Sequence, residues 1–192
     1  TKFTYALHAY VNKVSLDEKK KVIFLPLLTK QLTKAKSEYA KILLEEELKY
    51  ILLENFETLS GTKVNKINLS YQVFGKKLGS APVILVNHAL TGNSLVSGIN
   101  GWWSEIIGNE KPINTNKYSI LCFNIPGNGF NENNFDYDLD FNLGDIALLF
   151  IKAIDELNLP KLHAIIGGSI GGCLTWEMIA LKNDLASLII PV

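Results

Sequence analysis

The residues best suited to chemistry are Gly167-Gly168-Ser169-Ile170-Gly171-Gly172, a nucleophilic hydroxyl set among closely spaced glycines. Apolar Ala164-Ile165-Ile166 precedes them, and Leu174-Thr175-Trp176-Glu177-Met178-Ile179-Ala180 continues as a helix. Gly-x-Ser-x-Gly between a buried strand and a helix fits a sharp turn that lifts the serine to the end of a parallel sheet. Gly167 and Gly171 answer the crowding of such a turn, where a Cβ meets neighbouring backbone, and Gly168 and Gly172 complete the run. The chemistry implied is acyl transfer. Ser169 attacks a carbonyl carbon, and the N–H of Ile170, at the start of the helix, receives the oxyanion. The bland alternative is a glycine-rich turn that carries a serine by chance; the strand–turn–helix context argues against it.

A second stretch supports this chemistry. Val83-Ile84-Leu85-Val86 is apolar throughout, as central parallel strands are, and it runs into the loop Asn87-His88-Ala89-Leu90-Thr91-Gly92. Ligands of open parallel sheets gather at the carboxyl ends of the strands, so this loop and the Ser169 turn should share one rim. The backbone N–H of Leu90 is the expected second oxyanion donor. His88 is read as bracing this loop rather than as a catalytic base. The sequence then runs short of partners for Ser169, since a serine nucleophile needs a base and an acid that orients it. No histidine follows Ser169, His8 lies far upstream, and His163 sits at the start of the strand leading into the turn, the wrong end to reach the serine. The 192 residues are accordingly read as a fragment, cut after about the sixth strand of an eight-stranded sheet. On their own they are expected to turn over no acyl substrate at an enzymatic rate.

The elements that must position these residues change character along the chain. Residues 1–46 are read as a helical arm, with a capping box at Ser15-Leu16-Asp17-Glu18 and an apolar stripe of Leu28, Leu32, Ala35, Tyr39 and Ile42. Residues 47–192 form the second region. Tyr50–Glu57 and Lys66–Phe74 read as antiparallel strands around Ser60-Gly61-Thr62, and Lys76–Pro82 as a loop. Gly101–Gly108, with Trp102 and Trp103, reads as a short helical turn. Tyr118–Asn124 is a buried strand, Asn131–Asp140 a surface loop, and Asn142 caps a helix with the face Leu143, Ile146, Ala147, Phe150, Ile151, Ile154 and Leu157. Ala186–Val192 reads as one more buried strand. The alternation argues an α/β fold: a mostly parallel sheet with helices on both faces, entered by an antiparallel pair.

Composition excludes some partners. The 19 basic residues are all lysine and balance 19 acidic ones. A formal charge of zero gives no reason to expect a nucleic acid or an anionic membrane as partner. Cys122 and Cys173 lie in apolar runs and read as reduced core residues. No signal peptide or membrane-spanning run is visible, and no metal site is proposed. A cytoplasmic enzyme is the simplest expectation.

Taken together, these motifs resemble the homoserine O-acetyltransferases, acyltransferases of the α/β-hydrolase fold. The resemblance rests on Asn87-His88-Ala89-Leu90-Thr91-Gly92, on Gly101-Trp102-Trp103 with Ile107-Gly108, on Lys111–Tyr118 and on the glycine-rich turn around Ser169. It covers roughly residues 48–192 and leaves out the arm. The turn Asn124-Ile125-Pro126-Gly127-Asn128-Gly129 stands where the family more commonly has a Gly-Gly-Cys version. The resemblance implies that Ser169 takes an acetyl group from acetyl-CoA, a substrate and not a bound cofactor, and passes it to the hydroxyl of homoserine on the route to methionine. It also implies that the acid, the base, the lid helices and the substrate-carboxylate arginine lie beyond Val192, and it leaves a homodimer open. Two other classes remain: an esterase of the same fold, and a non-catalytic chain that acts only by association.

Overall fold

The computed structural model describes residues 47–130 and 141–192; the arm expected over residues 1–46 and the loop expected over 131–140 lie outside them. A six-stranded sheet organises these residues. Its strands are β1 (Lys49–Glu57), β2 (Lys63–Gly75), β3 (Val83–Asn87), β6 (Ser119–Phe123), β7 (Leu162–Gly167) and β8 (Ala186–Pro191), in the spatial order β1-β2-β6-β3-β7-β8. The pairs β1–β2 and β2–β6 are antiparallel, while β6–β3, β3–β7 and β7–β8 are parallel. The antiparallel entry and parallel remainder are those expected from the change of pattern along the chain.

Register explains why the central strands are apolar without alternation. Every residue of β3 and of β6 is buried, because both faces of the sheet are covered. Leu85, Leu121, Phe123 and Ile165 face one core, while Ile84, Val86, Ile120, Cys122 and Ile166 face another. Each such Leu, Ile or Val contributes about 1.5–3 kcal/mol by leaving water.

The helices are α1 (Leu143–Glu156) and α2 (Ile170–Leu181). Asn142 and Asp145 cap α1 reciprocally: the Asn142 side chain accepts the Asp145 N–H, and Asp145 Oδ2 accepts the Asn142 N–H. Asp145 Oδ1 also accepts the Leu59 N–H at 2.7 Å, which ties the helix start to the β1–β2 turn. The helix ends at Glu156 with Leu157 as its C-cap, and Asn158 follows in the left-handed region at φ 51°, ahead of Pro160.

Four sequence expectations need correction among the described residues. Helices were expected on both faces, but α1 and α2 pack into the same core, and the opposite face is covered by the segment between β3 and β6. Periodicity marks a helix's apolar side and says nothing of which sheet face it meets. Gly101–Gly108 does not form a helix: it is a run of turns, one closed by the Ile107 N–H on Trp103 O, leading into β4 (Ile107–Gly108), which pairs in parallel with β5 (Ile113–Asn114). Strand β8 is not buried, since Leu188 is 50% and Ile190 43% exposed, because it forms the sheet edge here. Cys173 is exposed on α2, while Cys122 is buried, where burial pushes its thiol pKa up.

Candidate active site

Ser169 occupies the turn between β7 and α2 with φ 57° and ψ −124°, a combination that glycine adopts readily and side-chain-bearing residues do not. What holds it there is backbone. The Ser169 N–H donates to Val192 O at 2.8 Å and the Val192 N–H to Gly167 O at 2.7 Å, so the end of β8 clamps the turn. On the other side, the Gly171 N–H donates to Gly168 O and the Gly172 N–H to Ser169 O. The serine side chain is exposed and makes no capping hydrogen bond.

Close packing beneath the turn explains two glycines. A Cβ on Gly167 would lie 2.1 Å from Gly171 O, and one on Gly171 would lie 2.2 Å from Asn87 O. Gly168, by contrast, faces only the indole of Trp103, 3.6 Å from where a Cβ would be, so that ring flanks the turn beside Ser169.

The strain at Ser169 makes a testable case. A positive φ at a non-glycine residue costs about 1–3 kcal/mol, while a glycine costs about 0.4–1 kcal/mol more in unfolded-chain entropy. Ser169→Gly should therefore raise stability by roughly 1 kcal/mol, read as a higher midpoint in urea unfolding. A lower midpoint would show that the turn is unstrained.

The loop after β3 shares this rim, as expected. Asn87 is paired with Gly167 across β3 and β7, and the start of α2 lies so near this strand end that a Cβ on Gly171 would meet the carbonyls of Asn87 and His88. Leu90 lies in the following turn, closed by the Gly92 N–H on Ala89 O, and is 68% exposed. Among the described residues, no hydrogen bond occupies the N–H of Leu90 or of Ile170.

Beneath the rim runs a link that sequence reasoning missed. Asn87 Nδ2 donates to Thr175 Oγ1 at 3.0 Å, and the Thr175 hydroxyl donates to Gly171 O at 2.8 Å. All three residues are buried. The strand end and the first turn of α2 are thereby tied across 88 positions of sequence. A threonine one turn into a helix, free to bond the carbonyl four residues back, is the only local signal of it.

The described histidines are engaged elsewhere. His88 is fully buried; Nδ1 lies 2.7 Å from Ala89 O, and Nε2 accepts the Ile125 N–H at 3.0 Å. Burial holds its pKa below 6.5. His163 lies at the opposite end of β7 from Ser169 and stacks on Tyr118, with ring centroids 5.1 Å apart. Among the described residues, no cluster of three or more His, Cys, Asp or Glu is placed to hold a metal ion, and no helix is long and apolar enough to cross a membrane.

A strained serine between a parallel strand and a helix, beside a loop from the neighbouring strand's carboxyl end, defines a class. Residues 82–190 match the family model described as the alpha/beta hydrolase fold, and the chain belongs to that family. Within it, the resemblance carried by the loop and glycine motifs is borne out by the relatives. The chain is 34% identical over 164 residues to the homoserine O-acetyltransferase of Desulfotalea psychrophila, covering 74% of this chain and 41% of that protein. It is 36% identical over 155 residues to the homoserine O-acetyltransferase of Methanococcus vannielii, covering 71% and 32%. The crystal structure of homoserine O-acetyltransferase from Staphylococcus aureus superposes with TM-score 0.65 at 30% identity, over 75% of this chain and 46% of that one. The chain thus spans less than half the length of these relatives.

Proposed function

We propose that the intact protein is an acyltransferase that moves an acetyl group from acetyl-CoA to the side-chain hydroxyl of homoserine through an acetyl-Ser169 ester. The observation that carries this reading is Ser169 held at φ 57° at the head of α2, with N–H groups at Ile170 and Leu90 that no hydrogen bond occupies among the described residues. The kinship with homoserine O-acetyltransferases supports the substrates. In this mechanism Ser169 Oγ attacks the thioester carbonyl as its proton passes to a general base. Negative charge gathers on the former carbonyl oxygen, where the N–H groups of Leu90 and Ile170 and the positive end of α2 stabilise it. Collapse breaks the C–S bond and releases the CoA thiolate, which takes up a proton. The homoserine hydroxyl then attacks the acetyl-serine ester, gives up its proton and frees Ser169. The base and its orienting acid are supplied from outside the described residues, and a cytoplasmic setting belongs to the same reading.

The test is to mix the intact protein with acetyl-CoA alone, quench, and map the added acetyl group by mass spectrometry. One acetyl group on Ser169, discharged when homoserine is added and absent in Ser169→Ala, is the expected result. Acetylation at another residue, or activity surviving in Ser169→Ala, overturns the proposal. Rapid release of acetate without homoserine would identify an esterase instead.

A further inference from the structure

His88 has no step in that mechanism, yet its surroundings are too specific for packing alone. Ala89 O can only accept, so the 2.7 Å contact to Nδ1 places the ring hydrogen on Nδ1. Nε2 accepts the N–H of Ile125 at 3.0 Å and is therefore bare. A single neutral tautomer satisfies both contacts. The ring thus spans from the first residues of the loop after β3 to the turn that leaves β6.

Further ties follow the same route. Asn128 Nδ2 lies 3.4 Å from Nε2, 3.4 Å from Gly92 O and 3.2 Å from Asn124 Oδ1. Asn124 Oδ1 accepts the Ser94 N–H at 2.7 Å, Asn124 Nδ2 donates to Ser70 Oγ at 2.9 Å, and the Ser94 hydroxyl donates to Gln72 Oε1 at 2.6 Å. The loop is therefore pinned at positions 88, 89, 92 and 94, on either side of Leu90. The side chains of this network from β2, the β6 turn and the loop itself are amides and hydroxyls. Cys122 of β6, also beside the loop, is held protonated by burial. Among the described residues the network offers no carboxylate to stabilise an imidazolium.

We infer that His88 is a positioning residue: as a neutral imidazole it holds Ala89 and Leu90 so that the Leu90 N–H faces the oxyanion, and its protonation releases the loop. This role rests on the acyl-transfer reading, but the brace itself does not. A proton on Nε2 would face the Ile125 N–H, donor against donor, and break the span. Because burial keeps the ring's pKa below 6.5, a released or unfolded loop binds the proton more readily. The brace is complete above about pH 6.5 and is lost as pH falls through the lower native value.

The experiment has two arms on the intact protein. In the first, NMR of the ring nitrogens is followed against pH together with amide hydrogen exchange of the loop. The expected result is an Nδ1–H tautomer, with exchange at the hydrogen-bonded amides of Gly92, Ser94 and Ile125 rising about tenfold or more relative to the intrinsic rate as the ring protonates. In the second, His88→Gln, whose Oε1 can still accept from Ile125, is compared with His88→Ala in acetyl transfer. His88→Ala should lose roughly 10²-fold in kcat with KM little changed, His88→Gln should recover part of the loss, and neither should retain the acidic loosening of the loop. A ring that protonates without loosening the loop overturns the inference, as does a loss confined to KM or a His88→Ala loop that exchanges like wild type. If the variants do not fold, the wild-type titration decides the brace. Wild-type protein that never acetylates Ser169 would sink the acyl-transfer reading and with it the role given to Leu90, while the first arm still reports on the brace.

Discussion

Given acetyl-CoA, the 192-residue chain alone should acetylate Ser169 at a rate ~10⁴-fold or more below that of a serine paired with a general base. A free alcohol is almost wholly protonated near neutral pH, and no base among the described residues stands beside Ser169, so very little nucleophile is present. Both described histidines fail as substitutes on geometry: His88 has its two ring nitrogens committed to Ala89 and Ile125, and His163 stacks on Tyr118 at the far end of β7. The free N–H groups should still leave a residual ~10³-fold advantage over water, the level that survives loss of a triad in serine hydrolases. A time course of intact mass with acetyl-CoA reads the rate directly, with Ser169→Ala as background. Stoichiometric acetylation within seconds would mean that a base lies within these residues. His8, outside the described residues, and His163 would then be replaced in turn to find it.

How much of this was legible beforehand depended on whether the deciding contacts were local. Strands β3 and β6 could be read because burial on both faces leaves an apolar signature in four consecutive residues each, 83–86 and 120–123. The Ser169 turn was legible because its glycines are demanded by backbone only a few residues away and by the adjacent strand. Strand β8 misled for a physical reason: Leu188 and Ile190 are as apolar as any core residue, and their exposure follows from what lies beside them in the sheet. Cys173 misled in the same way, since its exposure is set by the phase of α2 and the side that α2 turns to the sheet. Strands β4 and β5, two residues each, are shorter than any periodicity can register. The bracing role of His88 was read from its place after β3, but its partner Ile125 and the link from Asn87 to Thr175 were out of reach, because these residues meet only after the crossovers are in place. The functional expectation was carried by motif resemblance, and the geometry gives a physical reason for Gly167, Gly171, Asn87 and His88 among the motif residues.

Gly171→Ala should cost at least about 3 kcal/mol, the upper end of what overpacking does, and prevent folding if the reserve is small. The added methyl would lie 2.2 Å from Asn87 O, 2.7 Å from His88 O and 2.8 Å from the Asn87 carbonyl carbon. None of these is the end of a flexible side chain. All are backbone at the C-terminal end of β3, a strand paired on both sides by β6 and β7, so relief requires α2 to move off the sheet. Such a shift would also carry the Thr175 hydroxyl, which rides on α2 with Gly171, away from Asn87 Nδ2 and loosen that tie. Domain stability totals only about 5–15 kcal/mol, and each kcal/mol moves Tm by about 2–4 °C at this chain length, so the midpoint should drop by roughly 6–12 °C. Gly168→Ala is the matched control: the same methyl there meets only the Trp103 ring, at 3.6 Å, and should leave Tm within about 2 °C. Thermal unfolding of the two variants beside wild type decides the matter. If Gly171→Ala melts with Gly168→Ala, the first turn of α2 does not press on β3, and the position assigned to the Ile170 N–H beside Ser169 fails with it.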